Sequence, residues 1–264
     1  MNMVVVLRAV QDPAGLVVNR KAQKVFVNRE AYQLNPADHN ALEAALSAAG
    51  VGDTVTALGY GGPPAEDALR DALAAGAGRA LWVRAPELQC ADAAVLTHVL
   101  RRAIEYLGGA DVVALGAEVI DADLAQIGPR LAAALAGTYV GNVHRFAPGQ
   151  GGMVRAVVPA EAAGGYRLIE ADQPIIAAVV RDCNQPRFAP AARIITIYST
   201  PDAVEVVTLA ELGLGEAELA PLTEARGESF PPERELGARL EGTDEETARR
   251  VAEMVGLQTK PPRS

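Results

Sequence analysis

Residues 111–128 of the chain read Asp111-Val112-Val113-Ala114-Leu115-Gly116-Ala117-Glu118-Val119-Ile120-Asp121-Ala122-Asp123-Leu124-Ala125-Gln126-Ile127-Gly128. The apolar run at 111–115 predicts a buried β-strand, and the Ala- and Leu-rich run at 124–136 predicts an α-helix that Gly137 ends. Glycines, acidic side chains and a glutamine lie between them. Because a strand, a polar loop and a helix follow one another, this stretch predicts one unit of a parallel α/β sheet.

The same alternation extends towards the amino terminus. The run at 3–7 is apolar at every position, as expected of a strand buried on both faces, and further strands are predicted at 53–58 and 79–84. Helices are predicted after each of these strands, and residues 17–27 predict two short extended pieces around a polar turn. The sequence therefore predicts a doubly wound, mostly parallel, Rossmann-like sheet, which binds ligands outside the carboxyl ends of its strands.

The second half of the chain has a different pattern. A hairpin is predicted at 153–170, and strands are predicted at 174–180 and 193–198. Beyond Ser199 the chain is acidic and loop-rich, with one helix predicted at 244–255. Such a stretch cannot build its own core, so it is expected to pack back on the domain or to wrap a partner. We therefore predict an α/β nucleotide-binding domain at 1–198 and a C-terminal arm at 199–264.

Composition excludes several classes of function. The formal net charge of −9 argues against a nucleic-acid partner, and no apolar stretch is long enough to predict membrane insertion. Cys90 and Cys183 form no metal-binding pair, and the three histidines show no metal-ligand spacing. No signal peptide is recognisable, so a cytoplasmic location is expected. No catalytic motif is present, which favours a binding or carrier protein over an enzyme.

Three segments at the predicted ligand edge are candidate binding elements. Backbone N–H groups at the start of the helix near Leu124 can hold a phosphate, and Gly128→Asp is expected to abolish nucleotide retention there. Asp121 and Asp123 either cap that helix or accept hydrogen bonds from ribose hydroxyls. The glycines at 59–62 are either a flexible turn or a phosphate loop, and residues 35–38 are either a helix cap or part of the site.

Five collinear segments together resemble the β subunits of electron-transfer flavoproteins. They are residues 35–46, 69–80 and 120–129, the pair Gly164-Gly165, and Asn184-Gln185-Pro186-Arg187-Phe188. The resemblance implies an adenine-nucleotide α-hydrolase-like fold and a heterodimer with an α subunit that carries most of the redox FAD site. It also implies electron transfer from partner dehydrogenases to an acceptor oxidoreductase, and a C-terminal arm that embraces the α subunit.

The resemblance further implies which residues bind the nucleotide and the partners. The nucleotide site would comprise Val6, Asn35, Pro36, Ala37, Asp38, Gly61, Gly116, Ala117, Glu118, Val119, Ile120, Asp121, Ala122, Asp123, Leu124, Ala125, Gln126, Ile127 and Gly128. Partner docking would use Asn184, Pro186, Arg187, Phe188 and Ala191. Many family members have Thr at the place of Ile127 and Leu at the place of Ala191.

Two questions stay open at this stage. The sequence of residues 120–129 is closer to that of the nitrogen-fixation-associated and electron-bifurcating members of the family. The site is therefore expected to hold either AMP or a second FAD. A stand-alone adenine-nucleotide-binding or stress-type module without flavin is the alternative, although the acidic stretch after Ser199 suits a heterodimer better. An adenylate-forming enzyme is disfavoured because Lys is absent from residues 25–259.

Overall fold

A computed structural model describes residues 1–120, 125–160, 164–224, 226–227, 229–232, 237 and 239–256, without the side chains of Gln89 and Cys90. The chain divides into two compact units, Met1–Arg226 and Gly227–Ser264. None of the helices within these residues is long and apolar enough to cross a lipid bilayer.

The described elements alternate as expected of an α/β protein. The strands are β1 (Asn2–Leu7), β2 (Ala9–Gln11), β3 (Leu16–Asn19), β4 (Lys24–Val27), β5 (Tyr32–Leu34), β6 (Thr54–Gly61), β7 (Arg79–Arg84), β8 (Val112–Gly116), β9 (Thr138–Val143), β10 (Arg145–Pro148), β11 (Val154–Pro159), β12 (Tyr166–Ala171), β13 (Ile175–Val179) and β14 (Glu205–Val207). The helices are α1 (Pro36–Ala48), α2 (Pro64–Ala75), α3 (Ala93–Tyr106), α4 (Ile127–Ala134), α5 (Ala191–Ser199) and α6 (Asp244–Met254).

Seven of these strands form one parallel sheet in the order β14-β7-β6-β1-β8-β13-β9. Its two faces belong to two separate hydrophobic clusters. In β1, Met3, Val5 and Leu7 face one cluster, whereas Val4 and Val6 face the other. Burial on both faces explains why residues 3–7 of β1 are all apolar, and it confirms the predicted doubly wound, parallel α/β fold.

The direction in which successive strands are added to the sheet reverses between β1 and β8. From β1 the chain continues to β6 and β7 on one side, and then crosses to β8 on the other side. The ladder between β1 and β8 ends at the pair Val5 and Ala114, although β1 continues to Leu7 and β8 continues to Gly116. The two strand ends therefore separate at their carboxyl edge, which is where sheets of this kind bind ligands.

Smaller sheets flank the main one. β10, β11 and β12 form an antiparallel sheet, and the predicted hairpin at 153–170 is confirmed by the pairing of β11 with β12. β3 and β4 form a two-stranded hairpin between β1 and α1, in agreement with the extended pieces predicted at 17–27.

Two local predictions are wrong. Residues 193–198 were predicted as a strand but lie in helix α5. This helix is hydrogen-bonded to α2, because Arg193 Nη2 donates to Leu73 O and the Tyr198 hydroxyl donates to the Asp71 carboxylate. Tertiary contacts here override the β propensity of the Ile-Ile-Thr-Ile-Tyr run. The glycines at 59–62 were placed in a turn or loop after the strand, but β6 continues through Gly61 and only Gly62 lies beyond it. A Cβ on Gly59 would lie 3.1 Å from Leu69 Cδ1.

Part of the stretch after Ser199 packs in the core of the α/β domain. β14 forms the edge of the main sheet, and Val204, Val207, Leu212 and Leu214 are buried. Residues 204–214 therefore pack back on the domain, which is one of the two arrangements expected for this stretch. The second unit, from Gly227, contains the predicted helix α6, and Thr243 and Glu246 form its capping box.

Candidate functional site

The carboxylate of Asp38 joins the separated ends of β1 and β8. Its Oδ2 accepts hydrogen bonds from Arg8 N at 3.0 Å and Arg8 Nε at 2.8 Å. Its Oδ1 accepts from Arg8 Nη2 at 2.6 Å and from Gly116 N at 2.8 Å. Asp38 thus supplies, from the first turn of α1, the hydrogen bonds that the β1–β8 ladder no longer provides.

This ion pair is buried, since Asp38 is 0 % exposed and Arg8 is 5 % exposed. A buried carboxylate with four donors is fully occupied, so it holds the edge of the sheet together instead of offering an acceptor to a ligand. Asp38 was predicted as a dipole-stabilising or binding residue, and the geometry adds a structural role. Arg8 was not predicted, because a single Arg after a strand carries no local signal for a partner 30 positions away.

Asn35 lies beside this ion pair, and its side-chain oxygen accepts no hydrogen bond from a described residue. It occupies the N-cap position of α1, but its side chain makes no capping hydrogen bond. Instead Nδ2 donates to the backbone oxygen of Glu118 at 2.9 Å, and Asn35 N donates to Arg8 O at 2.9 Å. The residue is 0 % exposed, and its Oδ1 has no hydrogen-bond partner among the described residues. An unpaired buried acceptor costs free energy, which suits a position that meets a ligand donor.

The loop after β8 starts against α1. A Cβ on Gly116 would lie 2.5 Å from Asp38 Oδ1 and 2.7 Å from Ala37 Cβ, so only glycine allows this approach. Ala117 N donates to Val179 O at 2.8 Å, which fixes the first residue of the loop to β13. Glu118 and Ile120 are exposed, and Val119 is partly exposed.

Helix α4 starts three residues later than the predicted Leu124. Asp121, Ala122, Asp123 and Leu124 lie outside the described residues, while Ala125 and Gln126 form an exposed turn before Ile127. N–H groups in the first turn of a helix lack intrahelical partners, and Pro129 has none, so Ile127 and Gly128 are the donors of that turn.

Gly128 has a packing role that the sequence did not reveal. A Cβ on Gly128 would lie 2.6 Å from Tyr139 Cε2 on β9. The expected loss of nucleotide in Gly128→Asp would therefore not prove contact with a phosphate, because a steric clash with Tyr139 accounts for the same result.

The other predicted nucleotide residues lie at the same edge or behind it. Val6 is 2 % exposed and its side chain packs in the core. Because the β1–β8 ladder ends at Val5, the backbone of Val6 lies where the two strands separate. Pro36 and Ala37 open α1 next to Gly116. Gly61 ends β6 with φ +105°, and its oxygen accepts from Trp82 Nε1 at 3.0 Å.

The predicted docking residues divide into two groups. Asn184 Nδ2 donates to Asn40 O, and the Asn40 side-chain amide donates to Asn184 O, so this motif is tied to α1. The Arg187 guanidinium donates to both carboxylate oxygens of Glu43 at 2.8 Å, which lowers the pKa of Glu43 to about 2. Beyond these ties, Phe188 is 98 % exposed, Ala191 is also exposed, and Pro186 is half-buried.

The donor set suits a nucleoside better than a metal. Among the described residues no group of three His, Cys, Asp or Glu side chains could hold a metal ion. The acceptor at Asn35 Oδ1 complements a hydroxyl or amino donor, whereas the N–H groups of Ile127 and Gly128 complement an anion. Asn35 is hydrogen-bonded to Arg8, the residue after β1, and Ile127 and Gly128 follow β8 in the chain.

Comparisons with known proteins identify the family of the chain. A family model described as the electron transfer flavoprotein domain matches residues 23–211. The acryloyl-CoA reductase electron transfer subunit gamma of Anaerotignum propionicum is 30% identical over 259 residues, covering 93% of this chain and 94% of that protein. The electron transfer flavoprotein subunit beta of Thermoanaerobacterium thermosaccharolyticum is 30% identical, with 87% and 92% covered. Protein FixA of Azorhizobium caulinodans is 31% identical, with 77% and 76% covered.

The family match includes α1, the central strands β6, β7, β8 and β13, and the loop after β8. The relatives named as electron-transfer subunits align over nearly the whole chain. The chain therefore belongs to the β-subunit family of electron-transfer flavoproteins, and its role lies in electron transfer.

Proposed function

We propose that this chain is the β subunit of a heterodimeric electron-transfer flavoprotein. In this proposal it carries electrons from dehydrogenases, through an FAD shared with an α subunit, to a downstream acceptor. It also binds an adenine nucleotide of its own, either AMP or a second FAD, at the carboxyl edge between β1 and β8.

The observation that carries the nucleotide part of the proposal is the buried Asn35 Oδ1. It has no partner among the described residues, and it lies where the ends of β1 and β8 separate. A ribose hydroxyl or an adenine amino group would satisfy it without disturbing the Nδ2 bond to Glu118 O. A phosphate would not, because two acceptors repel each other.

The phosphate would be held on the other side of the site. The N–H groups of Ile127 and Gly128 and the dipole of α4 favour an anion, and no side-chain cation is required for one phosphate. Asp38 and Arg8 neutralise each other beneath the site, so the Asp38 carboxylate does not add an uncompensated negative charge to it. Both AMP and FAD contain an adenosine phosphate, so the same groups serve either ligand.

In an electron carrier the protein binds and orients the redox group. Bound FAD would supply the electron-accepting chemistry of the heterodimer. The β subunit would contribute the rigid edge of its sheet, and the exposed segment around Phe188 would contribute docking surface for partner dehydrogenases. The ties from Asn40 to Asn184 and from Glu43 to Arg187 would hold that segment at a fixed position on α1.

Co-expression with a candidate α subunit tests this proposal. Nucleotides released by acid from the purified heterodimer are separated by chromatography and counted per heterodimer. We expect either one FAD with one AMP, or two FAD. Asn35→Ala is expected to remove the second nucleotide and to retain the shared FAD.

Asn40→Ala is the matched control. Asn40 is also a buried amide on α1, at 4 % exposure, but it bonds to Asn184, beyond β13, and not to the loop after β8. We expect Asn40→Ala to keep the second nucleotide even if its stability falls. A heterodimer with the shared FAD alone would contradict the nucleotide assignment, and a chain that binds nucleotide but neither an α subunit nor flavin would support the stand-alone module.

A further inference from the structure

The hairpin of β3 and β4 exposes an unusual number of apolar side chains. Val17, Val18, Val25, Phe26 and Val27 are each between 49 % and 55 % exposed. They lie within eleven consecutive residues. Single exposed apolar residues are common on protein surfaces, but a contiguous group of this kind marks a surface that another molecule covers.

Both faces of this hairpin carry apolar side chains that are about half exposed. The cross-strand pair Val18 and Val25 lies on one face, and the pair Val17 and Phe26 lies on the other. Among the described residues, β3 and β4 form no ladder with any third strand. A two-stranded hairpin alone is marginally stable in water, so a second molecule that packs on its apolar faces would stabilise it.

The root of the hairpin is nevertheless fixed. Gly15 O accepts from Asn28 N at 2.9 Å and from Arg29 N at 3.2 Å, and a Cβ on Gly15 would lie 2.1 Å from Arg29 O. The pairing of β2 with β5 continues this connection back to Arg8 and Asn35. The hairpin therefore projects in a defined direction from the edge of the sheet that carries the candidate site.

The charge of the hairpin contrasts with that of the rest of the chain. Residues 13–29 contain no Asp or Glu, although the whole chain has a formal charge of −9. Two of its three lysines, Lys21 and Lys24, lie here together with Arg20. None of these three cations forms a salt bridge with a described residue. The apolar surface therefore has a positively charged tip.

We infer that this hairpin anchors the chain to the α subunit of the heterodimer, which would receive it in an apolar groove edged by carboxylates. The inference rests on the proposed function, because it takes the α subunit as the occupant. Relatives named as subunits of electron-transfer proteins support a different chain as the occupant over a second copy of this one. Burial of the apolar pairs supplies affinity, and the cations fix orientation and speed encounter.

Titration of the full chain with the purified α subunit tests the inference. Val18→Thr/Val25→Thr removes apolar surface from one cross-strand pair and keeps the β-branched shape that strands favour. We expect the Kd to rise at least about tenfold. Val51→Thr is the matched control, because Val51 is fully exposed on the turn before β6 and is expected to leave the Kd within about twofold.

Charge reversal provides a second, independent variant. Lys21→Glu/Lys24→Glu is expected to weaken binding at least about tenfold and to reduce the dependence of Kd on NaCl between about 0.05 and 0.3 M. Far-UV circular dichroism and thermal melts of each variant should match the wild type, because the altered side chains do not pack in the core.

The outcomes separate this inference from the proposed function. A wild-type chain that forms a flavin-containing heterodimer, with variants that bind as tightly as wild type, would overturn the hairpin inference alone. A wild-type chain that does not bind the α subunit would overturn both. Self-association of the wild-type chain that the hairpin variants abolish would identify a second copy as the occupant and would also overturn the inference.

Discussion

Replacing Asp38 by Ala should be among the most destabilising single changes in the chain. The substitution removes an acceptor of four hydrogen bonds and leaves the Arg8 guanidinium, which is 5 % exposed, without its counter-ion. Removing one partner of a buried ion pair costs about 3–5 kcal/mol. Folded proteins of this kind have about 5–15 kcal/mol of stability in total, so the loss is a large fraction.

Urea unfolding at pH 7, followed by circular dichroism, measures this loss. With a slope of about 2–3 kcal/mol per M, the midpoint of Asp38→Ala should fall by about 1–2 M relative to wild type. Arg8→Met is the companion variant, because it removes the cation and keeps an apolar side chain of similar length. Since each single change leaves the other charge buried, the double variant should be more stable than additivity predicts, by about 2 kcal/mol.

The reasoning would be refuted by two results. Asp38→Ala could cost less than about 1 kcal/mol, which is the loss expected of an ordinary substitution. The effects of Asp38→Ala and Arg8→Met could also add within about 0.5 kcal/mol, as they do for independent sites. In either case the carboxylate would not be what joins β1 to β8.

Three further predictions concern neighbouring contacts. Gly116→Ala should lower stability by about 1–3 kcal/mol in urea unfolding, because the new Cβ would lie 2.5 Å from Asp38 Oδ1; an unchanged midpoint would contradict this. Gly128→Ala should destabilise through its contact with Tyr139, and Tyr139→Ala should restore part of the loss in the double variant if that contact is the cause. Glu43 has its pKa lowered from 4.5 to about 2 by Arg187, so its stabilising effect is complete above pH 4.5 and is lost as pH falls towards 2. Glu43→Gln should be less stable than wild type at pH 7, and the difference should shrink towards pH 2; a constant difference would mean that the ion pair is not responsible.

The sequence predicted the main elements of the fold because their signals are local. Residues 3–7 of β1 are all apolar, α1 begins with Asn35 and Pro36, and Gly76 ends α2 with φ +138°. Each of these signals depends on a few neighbouring residues. The parallel sheet follows from the alternation of such elements, and the structure confirms it.

The predictions that failed depended on contacts between distant residues. The Ile- and Tyr-containing run at 193–198 has the composition of a strand, but Arg193 and Tyr198 bind α2 about 120 positions away and α5 is a helix. In the same way, nothing near Arg8 indicates its bond to Asp38. Gly128 was interpreted as a phosphate-facing glycine, whereas a Cβ at this position of α4 would meet the ring of Tyr139 on strand β9.

The central claim is that an adenine nucleotide binds where β1 and β8 separate. The most direct measurement is a crystal structure of the co-purified heterodimer with its nucleotides retained. We predict a hydroxyl or amino group of the adenosine at hydrogen-bonding distance, about 2.7–3.2 Å, from Asn35 Oδ1, and its phosphate at the first turn of α4. Adenosine bound elsewhere, with Asn35 Oδ1 paired to another protein group, would contradict the claim.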